Sequence, residues 1–289
     1  MIFTRKLKFA LLAVGFIGCQ MGASHVFAEH TWANYKWEVS EVPLALDLVD
    51  NLTTVDWQSA LGVARDDWHW WTFDNGGSHI SVLDLTYVTS GTNFACDPVA
   101  GNVQVCNGEY GNNGWLGIAQ IWTTRGRNRY IIAGVAKLND TYYNSAYYNN
   151  IPWRQLVMCQ EVAHTFGLGH QDEAFGNTNL GSCMDYTDDP DGKLYNQDDN
   201  QHPNYHDYVV LTQLYGGSDG SDGGGGEKSC NPKSPKCNQS VVLKHPGDWG
   251  QLVSRHGPKE VYERVLSNGL VVVTHVTWTI EHAEEHSHH

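Results

Sequence analysis

The segment from Trp153 to His170 constrains this chain more than any other. Leu156, Val157, Gln160, Val162, Ala163 and Phe166 recur at helical intervals, so the stretch predicts a helix. Residues four apart share a helix face, which lets Gln160 and His164 converge on one point with Glu161 beside that face. Gly167 is a natural stop for the helix, and the turn it permits brings His170 back toward the same point. Three protein ligands with a position left for water is the arrangement of a catalytic zinc. Glu161 is then placed to take a proton from water and pass it to a leaving amine, rather than to bind the metal.

Around this segment the pattern alternates between periods. "TTVDWQSALGVARDDW" has Thr53 and Asp56 at capping-box spacing ahead of apolar residues at helical intervals. "HISVLDLTYVT", "WLGIAQIWT" and "YIIAGVAKLN" are apolar, β-branched runs that predict strands, and "HDYVVLTQLYGG" is a last helix ending on glycines. Helix, then strands, then helix reads as α/β or α+β. The stretch "GGSDGSDGGGGEKS", residues 216–229, cannot bury a core and reads as a tether. Taking the linker as 217–229, it separates a body, 29–216, from a small C-terminal module, 230–289. In that module Asn268-Gly269 signals a turn before a strand, "LVVVTHVTWTIE", while "PKEVYERVL" fits a helix or a strand. The sequence assigns the module no chemistry.

Residues 1–28 read as an export signal, with basic "MIFTRKLK", apolar "FALLAVGFIGC" and a small-residue cleavage site ending at Ala28. The competing reading is a lipoprotein site that acylates Cys19 and keeps the protein on a membrane. No other stretch is long and apolar enough to span a bilayer. The expectation is a secreted, monomeric protein without an integral membrane segment. A net charge of −14 argues against nucleic acid and anionic membrane as partners. Of seven cysteines, Cys19 leaves with the signal and six remain for an oxidising compartment. They fall in neighbouring pairs, Cys96 with Cys106, Cys159 with Cys183 and Cys230 with Cys237, although six cysteines admit many connectivities.

"QEVAHTFGLGH" followed by "SCMDY" resembles the metzincin clan of zinc endopeptidases, and "FGLGH" is especially similar to the matrixins. The resemblance covers roughly residues 29–216 and is most specific over 156–186. It implies an α+β fold, a mixed sheet with a long active-site helix, and a zinc-dependent hydrolase acting on protein or peptide substrates. It implies His164 and His170 as ligands, Glu161 as general base, Met184 as a hydrophobic floor beneath the metal, and Tyr186 at the zinc. It also implies that an extended substrate lies along the "WLGIAQIW" strand as an edge. A Cys159–Cys183 bridge would tie the helix to that floor, contributing ~3 kcal/mol.

The departure from the clan is Gln160, which stands where the first histidine ligand belongs. Three readings follow: Gln160 ligates weakly through its amide oxygen, Tyr186 supplies the missing ligand, or the site is empty and the domain is an inactive module binding extracellular peptide or glycan. Elsewhere, Asp172 and Glu173 are candidates to orient His170, and His202 and His206 read as loop and helix-orienting residues. The acids at 185–191 and 198–199 are candidates for calcium, with solvated loop charge as the alternative. Asn51, Asn139 and Asn238 begin glycosylation sequons.

Overall fold

The computed structural model describes residues 30–69, 81–89, 91–126, 128–216, 248–256 and 259–282. The expected export signal with Cys19, the expected 217–229 linker, Cys230, Cys237 and Asn238 lie outside the described residues. In chain order the elements are β1 (Lys36–Trp37), β2 (Leu44–Asn51), α1 (Val55–His69), β3 (Leu83–Val88), β4 (Asn102–Gly108), β5 (Trp115–Thr123) and β6 (Tyr130–Asn139). They continue with α2 (Asp140–Tyr143), α3 (Ile151–His164), α4 (Tyr205–Tyr215), β7 (Gln251–His256), β8 (Lys259–Val265) and β9 (Val271–Trp278).

The result is the expected α+β architecture. One mixed sheet runs in the order β3-β2-β4-β6-β5-β9-β8-β7, with β1 pairing β6 off that path. The β3-β2-β4-β6 half is parallel, and from β6 onward every pairing is antiparallel. α1 packs on α3, and both lie against the sheet. The indole of Trp68 on α1 donates to the Cys159 carbonyl of α3 (3.2 Å), and Trp57, Leu61 and Ala64 bury α1's apolar stripe in the same core.

α3 begins where Asn150 caps it by accepting from the Trp153 N–H (3.0 Å), with Pro152 in the first turn, where its missing N–H costs nothing. It ends through Gly167. That residue has φ +85°, and a Cβ there would lie 1.8 Å from the Tyr35 carbonyl oxygen, so only glycine fits. The exit carbonyls are all claimed: Thr165 by the Trp37 indole (2.9 Å), Phe166 by the Tyr215 hydroxyl (2.7 Å) and Gly167 by the Trp32 N–H (2.7 Å). This is how the chain leaves a buried helix without stranding polar backbone.

The C-terminal segment departs from expectation. Its strands β7, β8 and β9 do not form a sheet of their own but extend the sheet of the body. β9 runs antiparallel to β5 from Trp115↔Trp278 to Thr123↔Val271. Lys259–Val265, within "PKEVYERVL", is accordingly a strand, β8. The physical reason lies in β5, which is buried at every position and would otherwise present an apolar, hydrogen-bonding edge to water. β5 is therefore an interior strand, paired with β6 on one side and β9 on the other. The edge on which an extended substrate was expected to lie is occupied by this chain's own tail.

Candidate metal centre

Three buried histidines converge where α3 faces β9. His164 stands at the end of α3, His170 follows the turn through Gly167, and His275 comes from β9. One ring nitrogen of each lies within 4.8 Å of the others, and this is the one such group of three or more His, Cys, Asp or Glu residues among the described residues. The rings are mutually packed, with centroids 3.8 Å apart for His164 and His275, and 4.7 Å for His170 with either partner. Trp32 closes the cluster with its indole edge-on to His164 (5.8 Å) and His275 (5.6 Å).

The donor atoms suit a metal. His164 Nδ1 lies 2.7 Å from the Leu168 carbonyl oxygen, which can only accept, so Nδ1 carries the proton and Nε2 presents its lone pair to the cluster. His164 Nε2 and His170 Nε2 are 3.1 Å apart. That is close to the roughly 3.3 Å edge of a tetrahedron with metal–nitrogen bonds of about 2.05 Å. Two imidazole nitrogens this close need a cation or a shared proton between them. On its far side His170 Nδ1 faces the Glu173 carboxylate at 3.9 Å, so Glu173 is the acid turned toward this ring. Asp172 instead accepts from the Ala174 N–H.

Glu161 lies fully buried on α3, three residues before His164. A Cβ on Gly117 of β5 would sit 2.6 Å from Glu161 Oε1 and 2.7 Å from its Cγ, so the missing side chain of Gly117 is the slot that receives the carboxyl group. Burial pushes this carboxyl up to about 8, and the neighbouring Thr277 hydroxyl opposes the shift. A cation at the histidines would pull it back down. Tyr186 packs its ring on His170 (4.3 Å), and burial holds its phenol well above the usual range.

The segment 182–186 is fastened from several sides. Cys183 is bridged to Cys159 of α3, the Gln171 N–H donates to the Met184 carbonyl (2.6 Å), and the Tyr186 N–H donates to Asp172 (3.2 Å). Ser182 donates to the buried Asp207 of α4 (2.6 Å), which itself completes a capping box with Asn204. Met184 is fully buried in the main core. The second bridge joins Cys96 to Cys106.

Gln160 shares the helix face with His164, but both ends of its amide are engaged by protein. Its Nε2 donates to the Cys183 carbonyl (3.2 Å), and its Oε1 accepts from the Thr277 hydroxyl of β9 (3.0 Å). The third imidazole of the cluster comes from His275 on β9 rather than from position 160, and Tyr186 stands against His170. Spacing along the sequence missed His275 and Thr277. The available signal was a lone histidine in an otherwise apolar, β-branched strand, "VVVTHVTW", where burial needs a reason.

The remaining candidates fall elsewhere. His202 pairs with Asp67 (2.7 Å), and the His206 ring packs on His30 (4.7 Å). Asp185 accepts from the Leu180 N–H and from Asn200, latching its loop. Asn51 and Asn139 are buried, and each hydrogen-bonds neighbouring strands or turns. Compared with known proteins, the chain matches no family model and no curated protein. No helix among the described residues is long and apolar enough to cross a membrane.

Proposed function

We propose that this chain is a secreted, zinc-dependent endopeptidase of metzincin type whose metal is held by His164, His170 and His275. The observation that carries the proposal is three convergent buried imidazoles, with a buried carboxyl, Glu161, less than one turn before His164 on the same helix. Imidazole donors at tetrahedral spacing favour zinc. A zinc ion held there supplies Lewis acidity toward a peptide carbonyl and acidifies water.

The chain's own residues do the rest. Glu161, ionised once a cation sits nearby, takes the proton from water at its carboxylate oxygen and returns it to the leaving nitrogen. Tyr186, protonated and stacked on His170, is placed to donate to an oxyanion. Glu173 fixes the ring of His170. The slot left by the missing side chain of Gly117 locates Glu161. Of the three histidines His170 is the most exposed, at 6%, so substrate approaches past His170 and Glu173 rather than by pairing with β5. Two disulfides and the export signal support an oxidising, extracellular setting.

The second reading, an inactive fold that binds peptide or glycan, draws on β9 covering the β5 edge. Hydrolysis of casein or a quenched peptide by the zinc-loaded protein separates the two. Endopeptidase activity should fall by a factor of at least about 100 in Glu161→Gln with zinc content unchanged. Equal, trace hydrolysis by the wild type and Glu161→Gln would favour the binding module.

A further inference from the structure

Gln160 occupies the helix position from which a third ligand could reach the metal, yet its side chain is spent on holding two other segments. Its amide nitrogen grips the Cys183 carbonyl and its amide oxygen takes the Thr277 hydroxyl. Thr277 lies two residues beyond His275 on β9, so the two side chains leave the strand on the same face. Their partners across the sheet agree: Thr277 sits opposite Gly117, whose missing side chain admits Glu161, and His275 sits opposite Ala119. Gln160 therefore fixes the strand next to the point where His275 enters the cluster. The Cys159–Cys183 bridge, whose first cysteine directly precedes Gln160, fixes the other end of the same clamp.

We propose that Gln160 is a positioning residue for the strand-borne ligand His275, and that positions 160 and 275 are alternative sources of one metal vertex. The proposal rests on His164, His170 and His275 holding the metal. Its physical basis is that an amide is a poor zinc donor but a good two-ended hydrogen-bond bridge. A histidine at 160 would have served the metal from the helix. With glutamine there, the helix holds in place a ligand carried by the sheet.

Two measurements on the full chain read this out independently of catalysis: zinc affinity by chelator competition, and the visible spectrum of the cobalt-substituted protein, which reports the ligand set. Gln160→Leu removes the bridge at similar volume and should weaken zinc about 10- to 100-fold and change the cobalt spectrum. Thr277→Val, which removes only the hydroxyl, should move both in the same direction, and Thr277→Ser should restore them. Combining Gln160→His with His275→Ala should recover tight binding that His275→Ala alone loses. Wild-type affinity and spectrum in both Gln160→Leu and Thr277→Val would overturn the positioning role while leaving a metal site dependent on His164 and His170 intact. A wild-type protein that binds neither zinc nor cobalt would overturn the metal reading itself, and the inference with it. Failure of Gln160→His to rescue His275→Ala would overturn the exchange of vertices.

Discussion

The two halves of the histidine cluster are built by different means. His164 and His170 come from one continuous segment, a helix and the turn through Gly167, and chain geometry alone brings them together. His275 comes from a strand far along the chain and reaches the same point because β9 completes the sheet beside β5. The first half is local, and its spacing is its signature. The second half is tertiary, and depends on strand register, the slot at Gly117 and the Gln160 bridge. On the proposed reading, the vertex that Gln160 does not supply from the helix comes from the strand, provided that something holds the strand in place.

The largest effect should come from the local half. His164→Ala removes a ligand whose tautomer the backbone has already fixed. It should lower zinc affinity by more than about 100-fold, a larger loss than deletion of a supporting hydrogen bond gives. Metal content after dialysis against a weak chelator checks it.

Next comes the bridge that fastens the helix to the turn beneath it. Replacing Cys159 and Cys183 together by alanine should cost ~3 kcal/mol of unfolding free energy in denaturant titration. It should loosen zinc binding as well, because Cys183 also anchors Gln160. A large loss of stability with unchanged zinc affinity would show that the bridge and the metal ligands act independently.

The strand half is tested by Gly117→Ala. The added methyl would meet Glu161 Oε1 and Cγ and Val157 Cγ1 at 2.6–2.7 Å. Overpacking of this kind costs about 1–3 kcal/mol, and the displaced carboxyl should reduce turnover more than it reduces metal content. Comparing kcat with zinc stoichiometry in this variant separates the base from the ligands.

The smallest effect serves as a control on the opposite face of the sheet. Lys137 of β6 lies there, its ammonium 5.9 Å from the Tyr110 ring, and burial lowers it to about 8 with Asp97 opposing. A lysine whose folded value lies below its unfolded value binds its proton less well when folded. The resulting cost is fully present below about 8 and fades as pH rises toward 10.5. Lys137→Met should therefore stabilise the protein by about 1 kcal/mol at pH 7, with a shrinking gain at higher pH and no change in zinc affinity.

How much of this was legible in the sequence follows the same division. The helical period around Gln160 and His164, the stop at Gly167, and the strands at "WLGIAQIWT" and "YIIAGVAKLN" could be read because each is a local pattern. So could the neighbouring cysteine pairs 96–106 and 159–183, which the structure joins. The parallel order β3-β2-β4-β6 could not, since nothing in a strand names its partner. The glycine-rich stretch suggested a separate module, whereas the apolar edge of β5 is what calls β7, β8 and β9 into the same sheet. Gln160 read as a weakened ligand because its hydrogen-bond partners, Cys183 and Thr277, are distant in sequence. His275 read as nothing at all, because a single histidine in a β-branched run has no spacing to interpret.

The central claim is that three histidines, two local and one strand-borne, share one metal. Zinc-edge X-ray absorption on the wild type and on His275→Ala tests it most directly. The account predicts one zinc per chain with three imidazoles in the wild type, falling to two imidazoles and a weakened site in His275→Ala. An unchanged coordination shell and unchanged affinity in His275→Ala would contradict it.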